Sequence, residues 1–142
     1  MIDSSFVLPR PMINSKNLEF SFSGLKTAVL YMTQKIPLID ENVKEKIAME
    51  FEESVKDVLV AKTEKALEIN KVKTLVIGGG VSANTYIRKN LEKLAKKHDT
   101  QFLASSKTLA TDNAIMIGVA GFFGKTKHIS KIKAQGNLKI EK

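Results

Sequence analysis

Not one of the 142 residues is cysteine. That excludes disulfides, thiolate nucleophiles and thiolate metal ligands, and it suits a reducing cytosol. The first residues, Met1-Ile2-Asp3-Ser4-Ser5, lack a basic segment followed by an apolar run, so no signal peptide is expected. The longest apolar stretch, residues 114–123, is too short to span a bilayer and reads as a buried helix. No membrane partner and a cytoplasmic location are therefore expected. Proline and glycine are few, with 3 and 8 residues, and no repeat or low-complexity segment interrupts the chain. Aromatic residues do not alternate with the lysines, so a base-stacking platform of the kind that grips single strands is missing.

What is present is an ordinary globular composition, 43% hydrophobic and 27% charged, long enough for about one domain with a real core. The net charge of +8 comes from 23 Lys+Arg against 15 Asp+Glu. Such a balance favours polyanions, tRNA included, through counterion release. The lysines are scattered over helix faces, with Lys93, Lys96 and Lys97 the tightest group, which is also how a solvated surface looks.

All but one of the prolines fall in residues 1–18, which read as extended loop. Leu18-Glu19-Phe20-Ser21-Phe22 alternates and predicts a short strand. A helix is expected over 25–35, stopped by Pro37. From Asp40, a good N-cap, a long amphipathic helix is predicted to about Asn70, with Ile47, Phe51, Val55, Val58, Leu59, Ala66 and Leu67 on its apolar face. Residues 72–77 read as a buried strand, 82–97 as a helix with Ile87, Leu91 and Leu94 inward, and 101–104 as a third strand. Thr111 is the expected cap of a last helix, before a lysine-rich tail. Three short strands are too few to cover such wide apolar helix faces, which points to part of a larger α/β unit.

The most informative stretch is Leu75-Val76-Ile77-Gly78-Gly79-Gly80-Val81-Ser82-Ala83-Asn84. An apolar strand runs into three glycines, and Ser82 and Asn84 open a helix. Glycines admit close backbone approach to a ligand, and a helix start offers unpaired N–H groups and a positive dipole end. Packing alone also explains such a turn, and an exposed helix-start residue also explains Asn84. Asp112, likewise, is explained by a carboxylate favoured at a first helical turn.

Three segments in order and spacing resemble one family, the tRNA threonylcarbamoyladenosine transferases, called TsaD in bacteria and formerly O-sialoglycoprotein endopeptidase or Gcp. They are Phe20-Ser21-Phe22-Ser23-Gly24-Leu25-Lys26-Thr27-Ala28 after Leu8-Pro9-Arg10-Pro11-Met12, then Gly79-Gly80-Val81-Ser82-Ala83-Asn84, then Thr111-Asp112-Asn113-Ala114. The resemblance covers nearly the whole chain. It implies an α/β fold: residues 1–142 would be the C-terminal part of the second lobe of an actin-like ATPase fold, shared with sugar kinases and heat-shock chaperones, helix-rich with few short strands. The first lobe would be absent.

The resemblance implies that Gly79 and Gly80 lie against the adenosine part of the ligand and that Asn84 hydrogen-bonds the nucleotide. Asp112 would bind a divalent metal, iron or zinc, shared with two histidines of a His-x-x-x-His helix that this chain lacks. His98 and His128 are not in that motif and read as surface histidines. The implied reaction moves threonylcarbamoyl from threonylcarbamoyl-AMP to N6 of the adenosine 3′ of the anticodon, in tRNAs reading codons that begin with A. TsaB-like and TsaE-like proteins are the implied partners. With the metal ligands incomplete, this chain alone is expected to be inactive. Two other classes stay open: a catalytically inactive nucleotide-binding or scaffolding module of the modification complex, and half of a sugar or acetate kinase. No Ser-His-Asp or Cys-His constellation supports the old peptidase name.

Overall fold

In this computed structural model residues 6–124 are described. In chain order they form α1 (Ser23–Gln34), α2 (Glu41–Asn70), β1 (Thr74–Ile77), a 3-10 turn (Gly80–Ala83), α3 (Thr85–Lys97), β2 (Gln101–Ala104), a second 3-10 turn (Lys107–Leu109) and α4 (Ala114–Phe123). The lysine-rich tail and His128 lie outside the described residues.

The long helix forms as its spacing predicts. Asp40 accepts a hydrogen bond from the Val43 N–H at 2.8 Å, and the helix ends where Lys71 turns left-handed at φ 46°. α1 stops before Pro37, which cannot continue the backbone ladder. Helices α2 and α3 pack together, and the apolar residues of α3 at 87, 91, 94 and 95 are all buried. With Leu8, Leu25, Val55 and Leu67, the first three of these form the core, against which Phe22, Leu59, Ile77 and Phe102 pack. Burying a side chain of this size is worth about 1.5–3 kcal/mol, so α3 is held chiefly by this face.

β1 and β2 are parallel, from Thr74 opposite Gln101 to Ile77 opposite Ala104, with α3 as the crossover. This is a βαβ unit. The expected strand at 18–22 does not form. Its alternation is there, but no described strand lies beside it to take its hydrogen bonds, and Phe20 and Phe22 instead pack ring against ring at 5.7 Å. Among the described residues the sheet therefore has two strands rather than three. Its outer side is apolar and uncovered: Val76 is 67% exposed and Leu103 46%.

The proline segment is strapped onto α2 by charge. Glu50, 3% exposed, accepts from the Leu8 N–H at 2.9 Å and pairs with Arg10, whose Nε reaches Asp57 at 3.0 Å. Further along, the buried Lys62 ammonium donates to Ser15 Oγ at 2.5 Å and the Asn17 carbonyl at 3.0 Å. Buried charges persist only when paired, as Glu50 is, or hydrogen-bonded, as Lys62 is.

Candidate nucleotide-binding turn

The carboxyl ends of parallel strands are where open α/β sheets bind ligands, and there the glycine turn sits. Gly79 has φ +81°, a conformation that side chains rarely adopt. A Cβ placed on Gly78, Gly79 or Gly80 would meet nothing within 4 Å, and all three residues are exposed. Space beside the turn is thus open to a ligand. Of these three glycines, Gly79 alone has a backbone conformation that demands glycine.

Asn84, not Ser82, caps α3. Its Oδ1 accepts from the Tyr86 and Ile87 N–H groups at 2.9 and 3.0 Å, and its Nδ2 donates to Glu52 Oε1 at 2.6 Å. One Nδ2 hydrogen is left for a ligand. Next to it Tyr86 donates its hydroxyl to Glu53 at 2.5 Å, a bond that raises the phenol's pKa above its ordinary value. Burial alone would raise Glu53, but hydrogen bonds from Lys56 and Tyr86 outweigh it and hold the carboxyl below the usual range.

Ser82 stays in the 3-10 turn, 5% exposed, its N–H bonded to the Gly79 carbonyl at 2.9 Å. Arg88 reaches from α3 to the loops that follow both strands, donating from Nε to the Ser82 carbonyl and from Nη2 to the Ser105 carbonyl, each at 2.8 Å. The hydroxyls of these same two serines are buried and, among the described residues, have no hydrogen-bond partner. An unmet buried polar group costs roughly 1–3 kcal/mol, which a ligand atom or water bonded there would recover.

Asp112 lies between the second 3-10 turn and α4. It is exposed and makes no hydrogen bond or ion pair within the described residues. The cap of α4 is Asn113 rather than Thr111: its Oδ1 accepts from the Met116 N–H at 3.0 Å, and the helix starts at Ala114. The Phe20–Ala28 motif meets α2 at a shallow depression lined by Phe22, Ser23, Lys26, Val29 and Phe51.

A metal of the kind the resemblance implies takes at least three protein ligands. Asp112 offers one carboxylate and joins no group of histidine and acidic side chains among the described residues, so these residues do not make up such a site. Glu64, Glu68 and His98 do converge, their ligand atoms within 4.8 Å of one another. Glu64 is already engaged there, by Lys97 at 2.6 Å and His98 Nε2 at 3.5 Å. The Lys97 hydrogen bond, then that of His98, lowers the Glu64 pKa. His98 is thus no idle surface residue: the cluster ties α3 to α2.

Strand, glycine turn, Asn-capped helix and second parallel strand make a βαβ unit, the building block of α/β proteins. The family model for TsaD, tRNA N6-adenosine threonylcarbamoyltransferase, matches residues 2–119. The chain belongs to this family. A tRNA N6-adenosine threonylcarbamoyltransferase of Thermosipho africanus strain TCF52B is 45% identical over 141 residues, 97% of this chain and 42% of that protein. The one from Francisella tularensis subsp. holarctica strain LVS is 47% identical over 140 residues, 96% of this chain and 40% of that protein. For Wigglesworthia glossinidia brevipalpis the identity is 43% over 129 residues, 88% and 38% of the two chains. The chain thus spans about two-fifths of the length of these curated relatives. Membership implies an actin-like fold, and a helix-rich unit with a two-stranded parallel sheet is compatible with part of one. No helix among the described residues is long and apolar enough to cross a membrane.

Proposed function

We propose that residues 1–142 are the C-terminal part of the second lobe of an actin-like tRNA threonylcarbamoyladenosine transferase, completed by a first lobe that this chain does not contain. The observation that carries this reading is the family match over residues 2–119, together with an open glycine turn backed by an Asn-capped helix.

In the proposed reaction the N6 amine of the adenosine 3′ of the anticodon attacks the carbamoyl carbon of threonylcarbamoyl-AMP. A new carbon–nitrogen bond forms, the bond to the phosphate oxygen breaks, AMP leaves with that electron pair, and N6 sheds a proton. This chain's share is binding and orientation, which convert an encounter into an effectively intramolecular step. Gly79 and Gly80 let the backbone lie against the adenosine part, and the spare Asn84 hydrogen bonds it. The positive end of α3 favours the phosphate. Asp112 is the one ligand offered to a divalent metal, iron or zinc, the others being histidines of the absent lobe. The charge of +8 favours tRNA, and the proposal includes a cytoplasmic reaction with TsaB-like and TsaE-like proteins as partners.

The test is co-expression with a first lobe bearing His-x-x-x-His, followed by assay of tRNA for threonylcarbamoyladenosine. Asp112→Ala is expected to abolish both product and bound metal. Unchanged product and metal would assign the chain to the inactive nucleotide-binding or scaffolding class, the reading that the lack of a His-x-x-x-His motif in this chain favours.

A further inference from the structure

Each strand of the sheet opens at its carboxyl end into a loop carrying one candidate motif. β1 leads into residues 78–84 with the glycines and Asn84, and β2 leads through Ser105 and the turn Lys107–Leu109 toward Asp112. Arg88 is the side chain that bonds to both loops. Its Nε and Nη2 belong to one rigid plane, so two carbonyls bonded to them are fixed in relative position as well as in distance. Arg88 itself is firmly seated. It lies on the first turn of α3, next to Ile87 in the core and behind the Asn84 cap, and its own N–H bonds the Asn84 carbonyl at 3.0 Å.

The carbonyls it takes are not otherwise spoken for. Within the 3-10 turn the Asn84 N–H goes to Val81, and the ladder of α3 begins at Asn84, leaving the Ser82 carbonyl to the guanidinium. The unpartnered hydroxyls sit on these same residues, Ser82 and Ser105. Each loop thus carries a buried group that lacks a hydrogen bond among the described residues, and Arg88 bonds to both loops.

We propose that Arg88 is a positioning residue that couples the glycine turn to the Asp112 loop, so that filling the turn with a nucleotide also orders residues 105–109. This rests on the nucleotide reading of the glycine turn, and it adds a second loop that responds to occupancy. Lysine keeps the charge and most of the stem but concentrates its donors on one atom, so Arg88→Lys loses the two-carbonyl fork.

The experiment is amide hydrogen exchange on the full chain with and without AMP, in wild type and Arg88→Lys, with Arg88→Gln as a second variant should the first fail to fold. In wild type AMP is expected to slow exchange at Ser82 and Asn84 and also at Leu109, whose N–H bonds the Ser106 carbonyl at 3.0 Å. In Arg88→Lys the slowing is expected to stop at the glycine turn, and ligand-free exchange in both loops should rise about tenfold while α2 is unchanged. Slowing at Leu109 that survives the substitution, or that is missing from a wild type whose glycine turn is protected, would overturn the coupling. If AMP protects nothing, the glycine turn of this chain alone does not hold the nucleotide. The ligand-free comparison then still decides: faster exchange in both loops upholds the brace, and equal rates end it.

Discussion

Helices α3 and α4 are built from opposite kinds of sequence and meet opposite fates. α3 alternates Ile87, Leu91, Leu94 and Ala95 with Lys89, Glu92, Lys93 and Lys96, and buries one face completely. α4, Ala-Ile-Met-Ile-Gly-Val-Ala-Gly-Phe-Phe, carries no charge on any face and buries none of its residues, with Phe122 and Phe123 more than 80% exposed. A helix apolar all round belongs in an interior. The contrast separates a half of the molecule that is finished, α2 with α3 and the strapped proline segment, from a half that is not, α4 and the outer side of the sheet. The unfinished half is where the proposed first lobe and remaining strands would lie.

Substitutions should follow that division. The largest effect is expected at Glu50, whose removal leaves the buried Leu8 N–H without its acceptor and the Arg10 guanidinium with Asp57 as its remaining carboxylate. Glu50→Ala should cost about 3–5 kcal/mol in urea unfolding, while Glu41→Ala at the exposed Lys44 pair should cost less than about 1 kcal/mol. Next comes the pair that tests the contrast itself. Leu91→Ala should destabilise by about 2–5 kcal/mol through cavity formation, and Ile117→Ala in α4 should stay within about 0.5 kcal/mol. Comparable losses at the two sites would erase the distinction. Asn84→Ala should cost about 1 kcal/mol, and Asn84→Asp should restore the cap yet place a carboxylate against Glu52.

The smallest effect is pH dependence. Lys97 and then His98 lower the Glu64 pKa, and at Asp57 the Lys56 and Arg10 bonds outweigh the opposing effect of burial. In both cases the unfolded chain binds protons first as pH falls, so stability rises with pH. It is fully present above the ordinary carboxylate range and is lost as pH drops through the lower folded values. Melting temperatures measured from about pH 6 down to about pH 3 should fall, and Lys97→Met should remove the larger part of the Glu64 share while leaving that of Asp57. A flat profile would mean that these pairs are screened out.

The finished half was legible from spacing, because local rules govern it. Asp40 as a cap, the period of α2 and the inward face of α3 are properties of adjacent turns. Caps were less legible: Ser82 and Asn84 are both good cap residues, as are Thr111 and Asn113, and pattern does not choose between neighbours. In each case the later residue won, since a turn or loop occupied the earlier one. The strand read at 18–22 failed for the opposite reason, because alternation supplies a strand's faces but not its partner. Arg88 with Ser105, Arg10 with Glu50, and Glu64 with His98 join residues far apart in the chain, and no spacing announces them.

At the site, glycines and Asn84 stood out from composition and position alone. What spacing could not show is that Asn84 already spends its Oδ1 on α3 and one amide hydrogen on Glu52. Nor could it show that Asp112 joins no group of acidic and histidine side chains among the described residues.

The most direct measurement is amide hydrogen exchange of α3 and α4, first on the dilute monomeric chain and then on the chain co-expressed with the amino-terminal part of a relative. The expected result is strong protection of α3 in both samples, with α4 nearly unprotected alone and protected in the complex. Protection of α4 equal to that of α3 in the dilute chain alone would contradict the division into finished and unfinished halves.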